Sequence, residues 1–248
     1  MNVSAKMWAK YIRTLQKINS TAAAKMLMAI EKYGLNNNKK LIEIAFALSN
    51  KYGEAAGALA CMMYDSIADA SGVHIPSAVP AETATYGEIA KAVNGTIKTW
   101  NPNIVTGAVC NMVKRVSADT MLKNALRDGA QFAWVPSGDS CGFCITLASR
   151  GWQYASDKAI KNGHAEHIHA NCDCNYCVRF NDDTDVEGYD PEEYLEKYYA
   201  ASPGNWRDKV NALQRENYMK NKDKINAQRR AAYAAKKERE NATKPKEE

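Results

Sequence analysis

The chain of 248 residues has no long apolar run: no stretch approaches the roughly 20 consecutive apolar residues that a membrane-spanning helix needs. The stretch from Met1 to Trp8 contains no basic cluster followed by an apolar block, so it predicts no signal peptide. An internal repeat is also absent, which argues against a repeat array. Because 46% of the residues are hydrophobic, the composition predicts one large domain or two modest ones with a core of their own.

A large excess of charge of one sign is also missing. The 33 Lys and Arg residues against 28 Asp and Glu residues give a formal net charge of +5, which by itself does not indicate nucleic-acid binding. The seven cysteines are odd in number and five of them lie within 141–177, so they favour a reducing compartment and a metal over a disulfide framework. Cys61 and Cys110 stand alone in helical-looking segments, and we expect them to be small buried hydrophobes.

The first part of the chain, 1–128, is predicted to be helical because its apolar residues recur at the i, i+3, i+4 spacing of one helix face. Ser4 can cap a first helix, and Ser20 or Thr21 can open a second one that ends at Gly34. Further helices are expected over about 39–70, 86–99 and 104–127. The alanines and glycines of the longest helix should let a neighbouring helix approach closely.

The second part, 129–180, changes character. An alternating stretch that stops at Pro136 predicts a short strand, and 175–180 predicts a closing strand. Between them we expect a short helix from about Ala148 that ends at a glycine. Trp134 and Trp152 should lie in the core. The sequence therefore predicts a small α+β unit attached to a mainly α protein.

The third part, 181–248, is poor in aliphatic residues. It begins with a run of acidic residues and then becomes basic towards Arg229 and Arg230. Helix propensity is high, but there is little apolar surface to bury. We expect this charged tail to be helical only where it meets a partner.

The strongest chemical signal is a group of cysteine and histidine residues. Cys141 and Cys144 form a CxxC pair, and a second motif, HxxCxC, contributes His169, Cys172 and Cys174. Thiolate and imidazole groups at such spacing suit a tetrahedral zinc site. Which four groups bind is left open by the spacing, and weaker candidates remain at His164, His167 and Cys177.

A structural zinc ion is favoured over a catalytic one. The zinc-deaminase pattern and the histidine pair of metalloproteases are both absent from the sequence, and Glu166 is the only carboxylate next to the histidines. A CxxC pair followed by further thiols fits a closed site. A catalytic Cys–His pair using Cys141 or Cys144 stays open, so a zinc- or cysteine-dependent hydrolase such as a capsid-processing protease is the alternative.

The order of helical region, strand, CxxC, short helix and HxxCxC resembles the minor head proteins of tailed bacteriophages, the phage Mu F-like head morphogenesis group. That group usually carries His-Pro-Asn-Cys-Arg-Cys, where this chain has His169-Ala170-Asn171-Cys172-Asp173-Cys174. The stretch from Trp134 to Gly151 is also similar to a minor capsid subgroup of phages that infect Gram-positive bacteria. The resemblance covers about 100–180, and its two departures leave the expected ligands in place.

The resemblance implies a non-enzymatic component of the virion head near the portal that is made in the host cytoplasm and acts in head assembly. Its expected partners are the portal protein, the major capsid protein or both, with a possible contact to packaged DNA through the basic part of 181–248. No membrane contact is expected. A nucleic-acid-binding zinc protein that works through the tail is a further alternative.

Overall fold

The structure, a computed structural model, describes residues 3–137, 140–156 and 174–201, together with 215–216, 218–222, 224, 226–227 and 230. The chain divides into two units, Met1–Tyr194 and Leu195–Glu248. Within the described residues the protein is mainly α-helical with a small antiparallel sheet. None of the described helices combines the length and apolar character that crossing a membrane requires.

The elements follow one another in a simple order. Among the elements that the structure describes with bounds, four helices come first, a small sheet with a short helix follows, and a further helix comes after the sheet. Their bounds are α1 Ala5–Tyr33, α2 Asn38–Ala70, α3 Tyr86–Ile97, α4 Pro102–Asp128, β1 Gln131–Val135, α5 Gly142–Ala148, β2 Gln153–Tyr154, β3 Asn175–Arg179 and α6 Pro191–Ala201.

Local sequence signals set most of the helix ends. The Ser4 side chain accepts a hydrogen bond from the backbone N–H of Met7, as predicted from the sequence. Gly34 ends α1 with a φ of 71°, a backbone conformation that side chains with a Cβ rarely adopt. Thr85 and Glu88 form a reciprocal capping box at the start of α3.

The predicted break near Ser20 is wrong: α1 runs without interruption from Ala5 to Tyr33. The Ser20 and Thr21 hydroxyls both donate to the carbonyl oxygen of Lys17, 3.1 and 2.7 Å away. Such bonds to the preceding turn let hydroxyl residues remain inside a helix. Burial of Asn19 and Ala22 on either side holds this part of α1 against its neighbours.

Helices α1, α2 and α4 pack against one another, and small residues permit the close approach of α2 and α4, as predicted. A Cβ atom added at Gly57 would lie 3.1 Å from Val116 Cγ1 and 3.2 Å from Pro80 Cβ. A Cβ atom added at Gly53 would lie 3.1 Å from the side chains of Val116 and Thr83. These two glycines of α2 therefore allow α4 to approach α2 closely.

Most of the buried apolar residues that the structure describes in the first unit belong to one of two clusters. The distal cluster is made only from α1 to α4 and the segment before α3, and includes Met26, Leu41, Ile89, Val93 and Val105. The sheet-end cluster joins the other halves of α1, α2 and α4 to the sheet; its members include Trp8, Tyr64, Met121, Trp134, Trp152, Tyr176 and Val178. The predicted core positions of Trp134 and Trp152 are confirmed, each with 2% of its surface exposed.

The sheet has the order β2–β1–β3, and both pairings are antiparallel. Because its residues share a cluster with α1, α2 and α4, the sheet is packed on the helices rather than held apart from them. The division of the chain into parts at residues 128 and 180 stays a prediction.

The first residues of the charged segment are built into the body. Val3 and Val186 form a parallel bridge, with backbone bonds from Val3 N to Asp185 O and from Glu187 N to Val3 O, both 2.9 Å. Thr184 and Val186 are buried, whereas Asp183, Asp185 and Glu187 are exposed. This alternation gives the acidic run an apolar face to bury, which the composition of 181–248 did not predict.

The second unit is described only in part. Within it the Arg215 guanidinium lies 4.2 Å from the ring centroid of Tyr198, and Lys220 pairs with Glu216 at 2.7 Å. The helix that propensity predicts in this part is observed in α6 and in most of the described residues of 215–230.

Candidate metal centre at one end of the sheet

The pairing of β1 with β3 puts the chain that leads to the CxxC pair and Cys174, the described cysteine of the second motif, at one end of the sheet. Val135, the last residue of β1, lies opposite Asn175, the first residue of β3. Because the strands are antiparallel, the chain leaves β1 towards Cys141 at the same end at which it enters β3 through Cys174. The sequence alone predicted both strands but not this pairing.

Cys141 and Cys144 lie at the start of α5. Cys141 is the residue immediately before the helix, with an extended backbone, and Cys144 is in its first turn. The expectation that a short helix begins only at about Ala148 is wrong, because the helix already spans Gly142–Ala148. Its backbone bonds begin from Ile145 N to Cys141 O, 3.0 Å, so the CxxC pair is held on a helical turn rather than on a loop.

Burial distinguishes the cysteines of this region. Cys144 has 1% and Cys174 has 4% of its surface exposed, and both belong to the sheet-end cluster. Cys141 is exposed. A thiolate is costly in apolar surroundings unless a cation compensates it, so Cys144 and Cys174 could be ionised at these buried positions only with a bound cation such as a metal ion.

The remaining expected ligands, His169 and Cys172, lie outside the described residues, as do His164, Glu166 and His167. Within the described ranges alone, no group of three or more Cys, His, Asp or Glu side chains is placed to hold a metal ion. Cys172 is two residues before Cys174 on the chain that enters β3.

Cys177 is different from the cysteines of the two motifs. It lies fully buried inside β3, paired in register with Ala133, and its thiol donates to Val178 O at 3.8 Å. Burial strongly raises the pKa of the Cys177 thiol. Cys110 is also buried, as predicted, and Cys61 is half-buried; burial raises the pKa of both thiols. These three groups behave as small apolar side chains.

A buried arginine, missed by the sequence analysis, ties the acidic segment to the sheet. Arg179 on β3 has 3% of its side chain exposed and contacts Asp182 at 3.3 Å and Asp185 at 3.2 Å. Its Nε donates to Gln131 Oε1 at 2.9 Å, and its guanidinium lies 4.8 Å from the ring centroid of Trp152. Burial lowers the pKa of Arg179, while the two aspartates oppose that shift.

The contacts of Arg179 and Asp185 also include the indole of Trp152. Trp152 Nε1 donates to Asp185 Oδ1 at 2.9 Å, and the Asp185 backbone in turn bonds Val3. A buried, fully paired charge of this kind fixes the path of the chain more than it adds stability. The signal in the sequence was an arginine in the closing strand followed within a few residues by two aspartates.

Comparison with known proteins identifies the class. The chain belongs to the VG15 protein family, whose profile matches residues 2–201. The matched range includes the helical bundle, the sheet and both cysteine motifs. This is a family of viral and phage gene products, and membership indicates a phage protein. No curated protein and no solved structure matches the chain.

Proposed function

We propose that the chain is a minor head protein of a tailed phage, a structural component of the virion head near the portal. The observation that carries the proposal is that the pairing of β1 with β3 puts the chain leading to the CxxC pair and the chain entering β3 through Cys174 at the same end of the sheet, inside a range that matches a phage family. These motifs are the ones in which the sequence is similar to the phage Mu F-like head morphogenesis proteins. The portal protein, the major capsid protein or both are the proposed partners.

The proposed cofactor is one structural zinc ion. Its ligands would be Cys141, Cys144 and His169 with one or both of Cys172 and Cys174. The burial of Cys144 and Cys174 supports this assignment, since both are held in the core close to the strand ends. Zinc bound there would join α5 to the start of β3 and stabilise the sheet end.

Metal analysis of the purified full chain tests the zinc assignment. We expect about one equivalent of zinc per chain. Replacing both Cys141 and Cys144 with serine should remove most of it, whereas Cys177→Ser, which changes a thiol outside the expected set, should retain the metal. Retention of more than about half of the zinc in the double variant would contradict the assignment, because two of four ligands are missing.

A zinc- or cysteine-dependent hydrolase is the competing function, because Cys141 is exposed and therefore reachable by a substrate. The two functions differ in the effect of Cys141→Ser. A structural role predicts loss of zinc and a lower melting temperature. A nucleophile predicts a folded chain that retains zinc but has lost hydrolysis of the capsid substrate, and that result would replace the structural proposal.

Location in the particle tests the head assignment directly. Electron microscopy of purified phage particles, with the chain labelled, should place it inside the head close to the portal. Particles from a phage lacking the gene should show defective heads. A label on the tail, or a chain found only in the host cytoplasm and absent from particles, would overturn the assignment.

A further inference from the structure

Helix α1 carries positive charge that its own sequence does not compensate. Between Ala5 and Ile30 it contains five basic residues and no acidic one; the five are Lys6, Lys10, Arg13, Lys17 and Lys25. The other long helices mix signs: α2 has three basic and four acidic residues, and α4 has four basic and two acidic ones. The charge pattern of α1 is therefore unusual within this bundle.

Four of these residues form a straight line. At 100° per residue, Lys6, Lys10, Arg13 and Lys17 fall within a sector of about 60°, because they are spaced by four, three and four positions. The sector lies opposite the buried face of α1, which is centred on Trp8, Ile12 and Leu15. All four side chains are exposed, so the line faces solvent along about 17 Å of helix, whereas Lys25 lies about 60° or more outside this sector.

No neighbouring carboxylate neutralises this basic line. Among the described residues, no Asp or Glu lies within 4.0 Å of any of these five side chains. The Glu187 carboxylate at the start of α1 accepts from the backbone N–H of Ala5 at 2.9 Å and makes no ion pair with Lys6 within 4.0 Å. The lysines are thus available to an anionic partner.

The chemistry of the face favours a nucleic-acid backbone over a protein. Protein interfaces are centred on aromatic and large apolar anchors and are depleted in lysine. From Lys6 to Lys25 the exposed residues of α1 include no large apolar side chain. Duplex DNA presents one negative charge per about 1.7 Å of its axis, so a straight row of cations can neutralise several phosphates without apolar contact.

We propose that the exposed face of α1 defined by Lys6, Lys10, Arg13 and Lys17 binds the phosphate backbone of duplex DNA without sequence preference. The site lies on α1 in the first unit and is a different segment of the chain from the basic part of 181–248. It depends neither on the zinc ion nor on the placement of the chain in the head. Zinc content and head location are therefore separate measurements, and either can fail while this site remains.

The test compares full-length variants for binding to a duplex of about 20 base pairs, roughly four times the length of the basic line. The first variant combines Lys6→Gln, Lys10→Gln, Arg13→Gln and Lys17→Gln, which removes four charges but retains good helix formers. The matched control combines Lys39→Gln, Lys91→Gln, Lys98→Gln and Lys123→Gln, four exposed lysines on the rest of the bundle. A third variant changes Arg229, Arg230, Lys236 and Lys237 to Gln in the basic tail.

The readout is the dependence of affinity on salt. Each lost phosphate contact lowers the slope of log K against log salt by about 0.9, so the α1 variant should lose about 3 to 4 from the slope. The control, with the same net charge, should lose less than half as much. Unchanged zinc content and melting temperature will show that the variants are folded.

Three results would overturn the proposal. An equal loss in the α1 variant and the control would mean that only net charge matters. A loss confined to the tail variant would move the contact to 229–237. Binding of the wild-type chain to polyglutamate as tightly as to DNA would indicate an acidic protein partner instead.

Discussion

The two ends of the helical body are stabilised in different ways. The distal cluster is formed by α1 to α4, elements that follow one another closely in the chain. The sheet-end cluster also needs β1, β3 and residues as far apart as Val3 and Val186. The sheet-end cluster is therefore stable only when segments far apart in the chain pack together. A single local change should destabilise this end more than the distal end.

Removal of the proposed zinc should have the largest effect. Binding free energy of structural zinc is about 10–16 kcal/mol in small zinc domains, and its loss should unfold the sheet end. The distal cluster contains no residue of the sheet, so α1 to α4 should retain much of their helix. Circular dichroism with chelator should therefore show a partial loss of helical signal.

Two outcomes of that experiment would change the comparison. Complete loss of helical signal would mean that the two ends fold as one cooperative unit. No change in the presence of chelator, in protein shown to release its metal, would mean that the sheet end is stable on packing alone. The same experiment on the double variant of Cys141 and Cys144 should reproduce the chelated state without added chelator.

Trp152→Ala should cost about 3–5 kcal/mol of unfolding free energy, because it leaves a large cavity in the sheet-end cluster and removes the contacts to Arg179 and Asp185. Trp100→Ala is the matched control, since 67% of Trp100 is exposed and its loss should change stability by less than about 1 kcal/mol. Urea denaturation of both variants measures the difference. Equal costs would show that the indole of Trp152 is not a core anchor.

Gly57→Ala should cost about 1–3 kcal/mol, because the new methyl group would press on Val116 and Pro80 where α2 meets α4. The control, Gly95→Ala in α3, has nothing within 4 Å of the new Cβ and should stabilise by up to about 1 kcal/mol. Thermal melts of the pair should move in opposite directions. Two shifts of the same sign would show that packing at Gly57 does not limit the approach of the helices.

The smallest effect concerns Glu88 in the bundle. Its hydrogen bonds to Arg115 and to the Thr85 backbone lower the pKa of Glu88 from 4.5 to about 2. A lowered pKa contributes stability above pH 4.5, and this contribution is lost as the pH falls from 4.5 towards 2. Because 42% of the Glu88 side chain is exposed, solvent screening limits the gain to about 1 kcal/mol.

Glu88→Gln measures this contribution. The variant should be less stable than the wild type at neutral pH, and the difference should shrink between pH 4.5 and 2. The loss should be similar in zinc-bound and chelated protein, because Glu88 and Arg115 lie on α3 and α4, which contribute none of the expected zinc ligands. A difference that grows in acid would contradict the assigned direction.

Prediction from the sequence worked best where the signal was local. The long helix at 39–70, the strands on either side of the cysteine motifs and the termini at Ser4 and Gly34 agree with the structure to within a residue or two. It failed at Ser20, where a hydroxyl residue typical of a helix start instead bonds back to Lys17 within a continuous helix. Whether a hydroxyl residue starts a helix or remains inside one depends on the burial of its neighbours, and burial is decided by the tertiary structure.

For the candidate metal centre, the cysteine spacing predicted the type of ligand, and the structure showed which helix and strands carry the described cysteines. Nothing in the spacing showed that Cys174 enters the sheet beside the end of β1, or that α5 begins within the CxxC pair. The distinction between Cys174, at the end of β3, and Cys177, buried within it, also needed the strand register.

The sequence by itself determined most of the helical segments, the caps at Ser4 and Gly34, the two cysteine motifs and the basic line of α1, because backbone hydrogen bonds and side-chain spacing within a helix depend on residues a few positions apart. Only the tertiary structure decided that Val3 pairs with Val186 and that Arg179 is buried between two aspartates and an indole. Those contacts join residues far apart in the chain. Their free energy comes from burial and charge pairing that exist only once the sheet has packed on the helices.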